Sequence, residues 1–140
     1  MGNVVQYSRL IQQNQQGFMK PLIFCDCKEV DEASAYGINQ KLSEQLIKTK
    51  PERRSMKLEM CFNQVLAELP DDVIIKEFDV MFHPDYKVDV LQVLIAAYRK
   101  KPFSVIWHGK LIGEKLIYAE DGYADYKEFS VMDYDITCVI

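Results

Sequence analysis

Apolar positions recur along this chain in two spacings, and the change from one to the other marks out its elements. Over residues 57–69, Leu58, Cys61, Phe62, Val65 and Leu69 fall three or four apart, while Lys57, Glu59, Asn63 and Glu68 take other positions. That is the pattern of a helix with one face against a core. A second helix is expected over residues 38–48, where Ile38, Leu42, Leu46 and Ile47 recur and Pro51 ends the run. A third is expected over residues 87–100. Its apolar residues surround most of the circumference, so neighbours should cover it. Residues 4–16 read as a short polar helix with a narrow apolar edge from Val4, Tyr7, Leu10 and Ile11, stopped at Gly17.

Short continuous apolar runs lie between the helices. Pro21-Leu22-Ile23-Phe24-Cys25, Val73-Ile74-Ile75 and Phe103-Ser104-Val105-Ile106-Trp107 have the character of strands covered on both faces. Strands interleaved with helices make a parallel sheet with helices on its faces. Beyond residue 110 the pattern changes. Residues 116–118, 128–131 and 136–140 are strand-like runs divided by polar turns, and they read as an antiparallel extension. The expected fold is one α/β domain over residues 1–140, a three-layer sandwich with a central parallel sheet and a C-terminal antiparallel extension.

Composition agrees with one compact domain: 49% of the 140 residues are hydrophobic and 27% charged, enough for a real core. No apolar run approaches the roughly 20 residues that a bilayer crossing needs. Residues 1–16 are too polar and too poor in basic residues for a signal peptide, so a cytoplasmic location is expected. The four cysteines are then expected to stay thiols. The net charge of −4 is uneven, because residues 111–140 hold seven acids and two lysines. Such a surface disfavours nonspecific attachment to nucleic acid or anionic lipid.

In an open parallel sheet, ligands bind at the carboxyl ends of the strands. Here those ends deliver Asp26 and Lys28, then Lys76, Glu77 and Asp79, then His108 and Lys110. A phosphate loop uses glycines so that backbone N–H groups can close around phosphate oxygens, with a Lys and a Ser or Thr for the terminal phosphate and magnesium. The segment after the first strand, Asp26-Cys27-Lys28-Glu29-Val30-Asp31-Glu32, has no glycine and four acids. It would repel a triphosphate. Glu77 and Asp79 follow an apolar strand as a magnesium-binding acid does in such enzymes, although apolar runs end in acids wherever a core strand meets solvent. Cys25 and Cys27 share strand parity, but a zinc site wants four ligands, and sequence places neither His83 nor His108 beside a cysteine as an activating base. No metal site is expected.

Two surface clusters complete the inventory. Lys48, Lys50, Arg53, Arg54 and Lys57 form a basic turn around Pro51. It reads as a solvated connection that complements a helix C-terminus, or else, through Arg53, Arg54 and Lys57, as a phosphate or DNA contact. Tyr118, Tyr123, Tyr126 and Tyr134 stand among acids. They read either as a covered sheet edge or as a partner surface.

Three blocks are informative together: Phe78-Asp79-Val80-Met81-Phe82-His83-Pro84-Asp85-Tyr86-Lys87-Val88-Asp89-Val90-Leu91, Phe103-Ser104-Val105-Ile106-Trp107-His108-Gly109, and Leu116-Ile117-Tyr118-Ala119-Glu120-Asp121-Gly122-Tyr123-Ala124-Asp125-Tyr126. In order and spacing they resemble the BrxF family, the small P-loop-like proteins of type 3 BREX bacteriophage-defence systems, over about residues 38–135. The resemblance implies a P-loop-NTPase-like core and a role beside other components of a defence complex. The family's phosphate loop has no counterpart here, Glu77 takes the place of its aspartate, and His108 that of a proline. The expected function is an accessory, non-hydrolytic subunit acting through protein contacts, with no cofactor. Lys28, Glu77, Asp79 and His108 are the candidate nucleotide-site residues. The alternatives are an ATPase that uses Lys28 for phosphate with ATP and magnesium as cofactors, and a DNA-binding adaptor. A homo-oligomer is compatible with either.

Overall fold

The structure is a computed structural model, described here for residues 2–13 and 20–140. Chain order gives β1 (Asn3–Val5), α1 (Tyr7–Gln13), β2 (Leu22–Phe24), β3 (Tyr36–Gly37), α2 (Asn39–Ile47), α3 (Arg54–Ala67), β4 (Ile74–Lys76), α4 (Val90–Lys100), β5 (Ser104–Ile106), β6 (Lys110–Ile112), β7 (Lys115–Tyr118), β8 (Lys127–Ser130) and β9 (Thr137–Val139). Six strands form one sheet in the order β1-β9-β2-β5-β4-β3, every pair parallel. The other three, β6-β7-β8, form a separate antiparallel sheet.

The expected α/β architecture with a parallel sheet and a later antiparallel unit is present. Two expectations are corrected. The run at 136–140 does not extend the antiparallel sheet: β9 lies between β1 and β2, parallel to both, with all three of its residues buried. A strand covered on both faces carries no polar alternation, and this one lies inside the sheet, one strand in from the β1 edge. The helix expected from residue 4 begins at Tyr7, because Val4 and Val5 pair with Cys138 and Val139 as an edge strand. Residues 14–16 of that expected helix, and its stop at Gly17, lie outside the described residues.

Strand parity divides the core. Ile23, Ile75, Val105 and Cys138 are in register across four strands, and all join the large cluster with α2, α3 and α4. Their neighbours Phe24 and Val139 turn to the opposite face, where Leu10 of α1 covers them. A right-handed crossover explains this split. The β1-to-β2 connection moves one way across the strand order, whereas β3 to β4 and β4 to β5 move the other way. Helices therefore cover both faces.

Local chemistry fixes the helix ends. Asp89 caps α4, its side chain accepting from the Gln92 N–H. Lys101 Nζ donates to the carbonyls of Leu66 (3.0 Å), Ala67 (3.4 Å) and Leu69 at the end of α3, satisfying acceptors that the helix leaves unpaired. Among the described residues, no helix is long and apolar enough to cross a membrane.

Candidate functional site

β2, β5 and β9 are neighbours, and past their carboxyl ends opens a cleft of about 830 Å³. Its walls come from residues 24–28 after β2, residues 106–112 around β5 and β6, and Ile140 after β9. The chain leaves β2 toward the far edge of the sheet and leaves β5 in the opposite direction. Such a reversal opens a crevice where α/β sheets hold ligands.

The floor of the cleft is not a phosphate cradle. Residues 25–35 run from β2 to β3 with a single 3-10 turn, Glu32–Ser34, and no α-helix starts behind β2. Both sources of phosphate-directed N–H groups, glycines and a helix N-terminus, are missing from this segment. The acids there serve local structure instead. Asp31 accepts from Ala33 N at 3.1 Å, Ser34 Oγ donates to Asp31 O at 2.9 Å, and Cys27 Sγ donates to Glu29 Oε2 at 3.3 Å. Burial, then the bond to Glu29, pushes the Cys27 thiol up, opposite to what a nucleophile needs. Lys76 Nζ reaches across from β4 to the Glu32 carbonyl at 3.0 Å and ties the loop down. Residues 25–35 thus do not fit the triphosphate-magnesium arrangement of a P-loop enzyme.

One wall carries an organised polar group. Asp79, just after β4, faces His108, just after β5, with Nδ1 to Oδ2 at 3.4 Å. Tyr118 of β7 donates its hydroxyl to Asp79 Oδ1 at 2.9 Å, and Asn39 Nδ2 at the start of α2 donates to Oδ2 at 3.2 Å. The Asn39 oxygen in turn accepts from Val80 N at 3.0 Å, fixing which way that amide points. Behind this group stand aromatic rings. Tyr118 stacks on Phe82 at 3.8 Å and 12°, and Trp107 meets Phe82 edge-on at 5.8 Å. Burial, followed by the bond to Asp79, pushes the Tyr118 phenol well above its ordinary range.

Gly109 allows the wall to close. A Cβ there would lie 1.7 Å from the Ile117 carbonyl oxygen and 2.8 Å from Trp107 Nε1. That carbonyl accepts the Trp107 N–H at 3.1 Å, so the indole, the turn and β7 meet where no side chain fits.

The residues singled out from sequence separate into groups. Lys28 and His108 line the cleft, with Asp26 and Lys110 beside them. Asp79 stands behind His108. Glu77 does not join them: its backbone is left-handed (φ 52°), and its carboxylate lies over Gly37, where a Cβ would come within 2.4 Å of Oε2. Among the described residues no three His, Cys, Asp or Glu side chains come together as metal ligands. Arg53, Arg54 and Lys57 lie outside the cleft. Arg54 Nε donates to the carbonyls of Leu46 (2.9 Å) and Thr49 (3.1 Å), so it closes the end of α2. Tyr118 is buried. Tyr134 is half-buried with its hydroxyl on Asp89 at 2.7 Å, Tyr126 is half-buried, and Tyr123 is 65% exposed. Asn39 was not among the sequence candidates, because an asparagine opening a helix reads as a cap rather than as a support for a carboxylate 40 residues away.

No protein-family model, no curated protein and no solved structure matches the chain.

Proposed function

We propose that this protein is a non-hydrolytic, ligand-holding α/β subunit that works through contacts with other components of a BREX-type phage-defence complex. The main support is the β2-to-β3 segment: at the position where a P-loop-like core would grip a triphosphate, residues 25–35 have neither a glycine nor an α-helix N-terminus. What remains is a crevice with mixed charge and a positioned imidazole, suited to holding a small molecule rather than splitting one. The pathway assignment is supported by the three blocks that resemble BrxF. They meet in one cluster, the first giving Asp79 and Phe82, the second Trp107, His108 and Gly109, and the third Tyr118. Of Tyr118, Tyr123, Tyr126 and Tyr134, Tyr123 is the one open to a partner.

The test is affinity capture of the full chain from its native host, with phosphate release from ATP and magnesium measured on the same preparation. The reading expects neighbouring defence proteins in the eluate and no phosphate release above background. Steady ATP turnover lost on Lys28→Ala would replace it with the ATPase reading.

A further inference from the structure

We propose that His108, oriented by Asp79, is the group through which the cleft grips a phosphate monoester, with Lys28 and Lys110 completing the anion site. The inference deepens the ligand-holding reading above and rests on it. Asp79 accepts from Tyr118 Oη and Asn39 Nδ2 and faces His108 Nδ1 at 3.4 Å, so this carboxylate is held from two elements and stands against the imidazole. With Nδ1 turned toward Asp79 at 3.4 Å, the opposite ring nitrogen, Nε2, is the one left for a ligand. The His108 side chain is 33% exposed and lines both the cleft and the small void beside Asp79. As an imidazolium it donates from Nε2 to an anion, and such charge-assisted bonds are about twice as strong as neutral ones.

Charge decides the ligand class. Lys28 and Lys110 line the same cleft, and among the described residues neither has a hydrogen-bond or ion-pair partner. Asp26 and Glu32 line it as well. The two ammonium groups balance the two carboxylates, so a protonated His108 ring would supply the positive excess. That excess suits a single phosphoryl group of charge about −2 and not a triphosphate. The space is far larger than one phosphate, and Val30, Leu111 and Ile112 give it apolar wall for an organic body. Asp79 is a positioning residue in this scheme, and Tyr118 and Asn39 hold Asp79.

The chain has two histidines, so ring ¹⁵N–¹H spectra report on His108 with His83 as an internal control; His83 lies away from the cleft, its Nδ1 accepting from Asp85 N at 3.1 Å. Titration of the full chain with adenosine monophosphate is expected to move the His108 ring signals saturably and leave those of His83 in place. Inorganic phosphate should move them with weaker affinity. His108→Gln should weaken monophosphate binding about tenfold, the effect of one charge-assisted hydrogen bond. Asp79→Asn should weaken binding and also change the tautomer signature of the His108 ring, which a purely structural role would not do. Tyr118→Phe keeps the ring stack and should shift the same signature. The inference is overturned if His108→Gln binds the monophosphate as the parent does, or if cleft amides respond while the His108 ring does not. Either result leaves the ligand-holding reading standing. Inorganic phosphate binding as tightly as the ester would overturn the assignment to an ester. If neither ATP, adenosine monophosphate nor phosphate moves any cleft signal, both the inference and the reading beneath it fall.

Discussion

Asp79 is offered more donors than a carboxylate usually meets where a strand surfaces into solvent. A phenol, an amide and an imidazole converge on its two oxygens. Removing one of them leaves the others in place, so Tyr118→Phe should fold and lose about 1.5 kcal/mol, the scale of a hydrogen bond to a charged group. Urea denaturation with an unchanged m-value would measure it. Burial and carboxylate partners raise the phenols of both Tyr118 and Tyr134, so the folded state keeps protons that the unfolded chain releases. Stability is therefore fully present below the ordinary tyrosine value of about 10 and falls as pH rises above it. Phenolate absorbance should accordingly show a late step that coincides with loss of circular dichroism. A smooth titration completed before unfolding would contradict this. The positions of Asp79 and His108 were legible in the sequence as strand ends. Their pairing was not, because Tyr118 and Asn39 are 39 and 40 residues from Asp79 in the chain and only the folded sheet brings them close.

At the scale of elements, the long helices were the readable part. Leu58, Cys61, Phe62, Val65 and Leu69 keep helical spacing and all are buried, and α3 begins at Arg54, three residues before the expected start at Lys57. Strands of three residues give periodicity too little length to act on, which is why β1 reads as the start of a helix and β9 as part of the wrong sheet. Gly109 sits at a tight junction between elements. Gly109→Ala must displace either the Ile117 carbonyl or the Trp107 indole, and overpacking of this kind costs roughly 3 kcal/mol. A thermal scan should show it, with Trp107 fluorescence moving to longer wavelength. Lys101→Met removes the donor that serves the last turn of α3 while keeping the aliphatic stem. A loss of about 1–2 kcal/mol is expected, with hydrogen exchange accelerated at the end of α3.

For the whole molecule, two cores of unequal size sit on either side of one sheet. The larger joins three helices to the antiparallel unit, and the smaller, among the described residues, packs α1 and the loop residues Cys27 and Val30 on the strands. β9 serves both, sending Cys138 to one side and Val139 to the other, each 0% exposed. Cys138→Asp would place an unpaired charge in the buried core beneath β9. Its cost of several kcal/mol is comparable to the entire stability of a domain this size, so no cooperative unfolding transition should be seen.

The position of β9 also governs timing. β1 touches the sheet only through β9, although more than 130 residues separate Val5 from Thr137. A chain emerging from the ribosome would thus carry β1 unpaired, and one flank of β2 bare, until residues 137–139 had been made. Closing so long a loop is slow. During synthesis the half-built sheet would present a sticky margin, and a chaperone or a neighbouring subunit waiting there would meet this protein before β9 closes it.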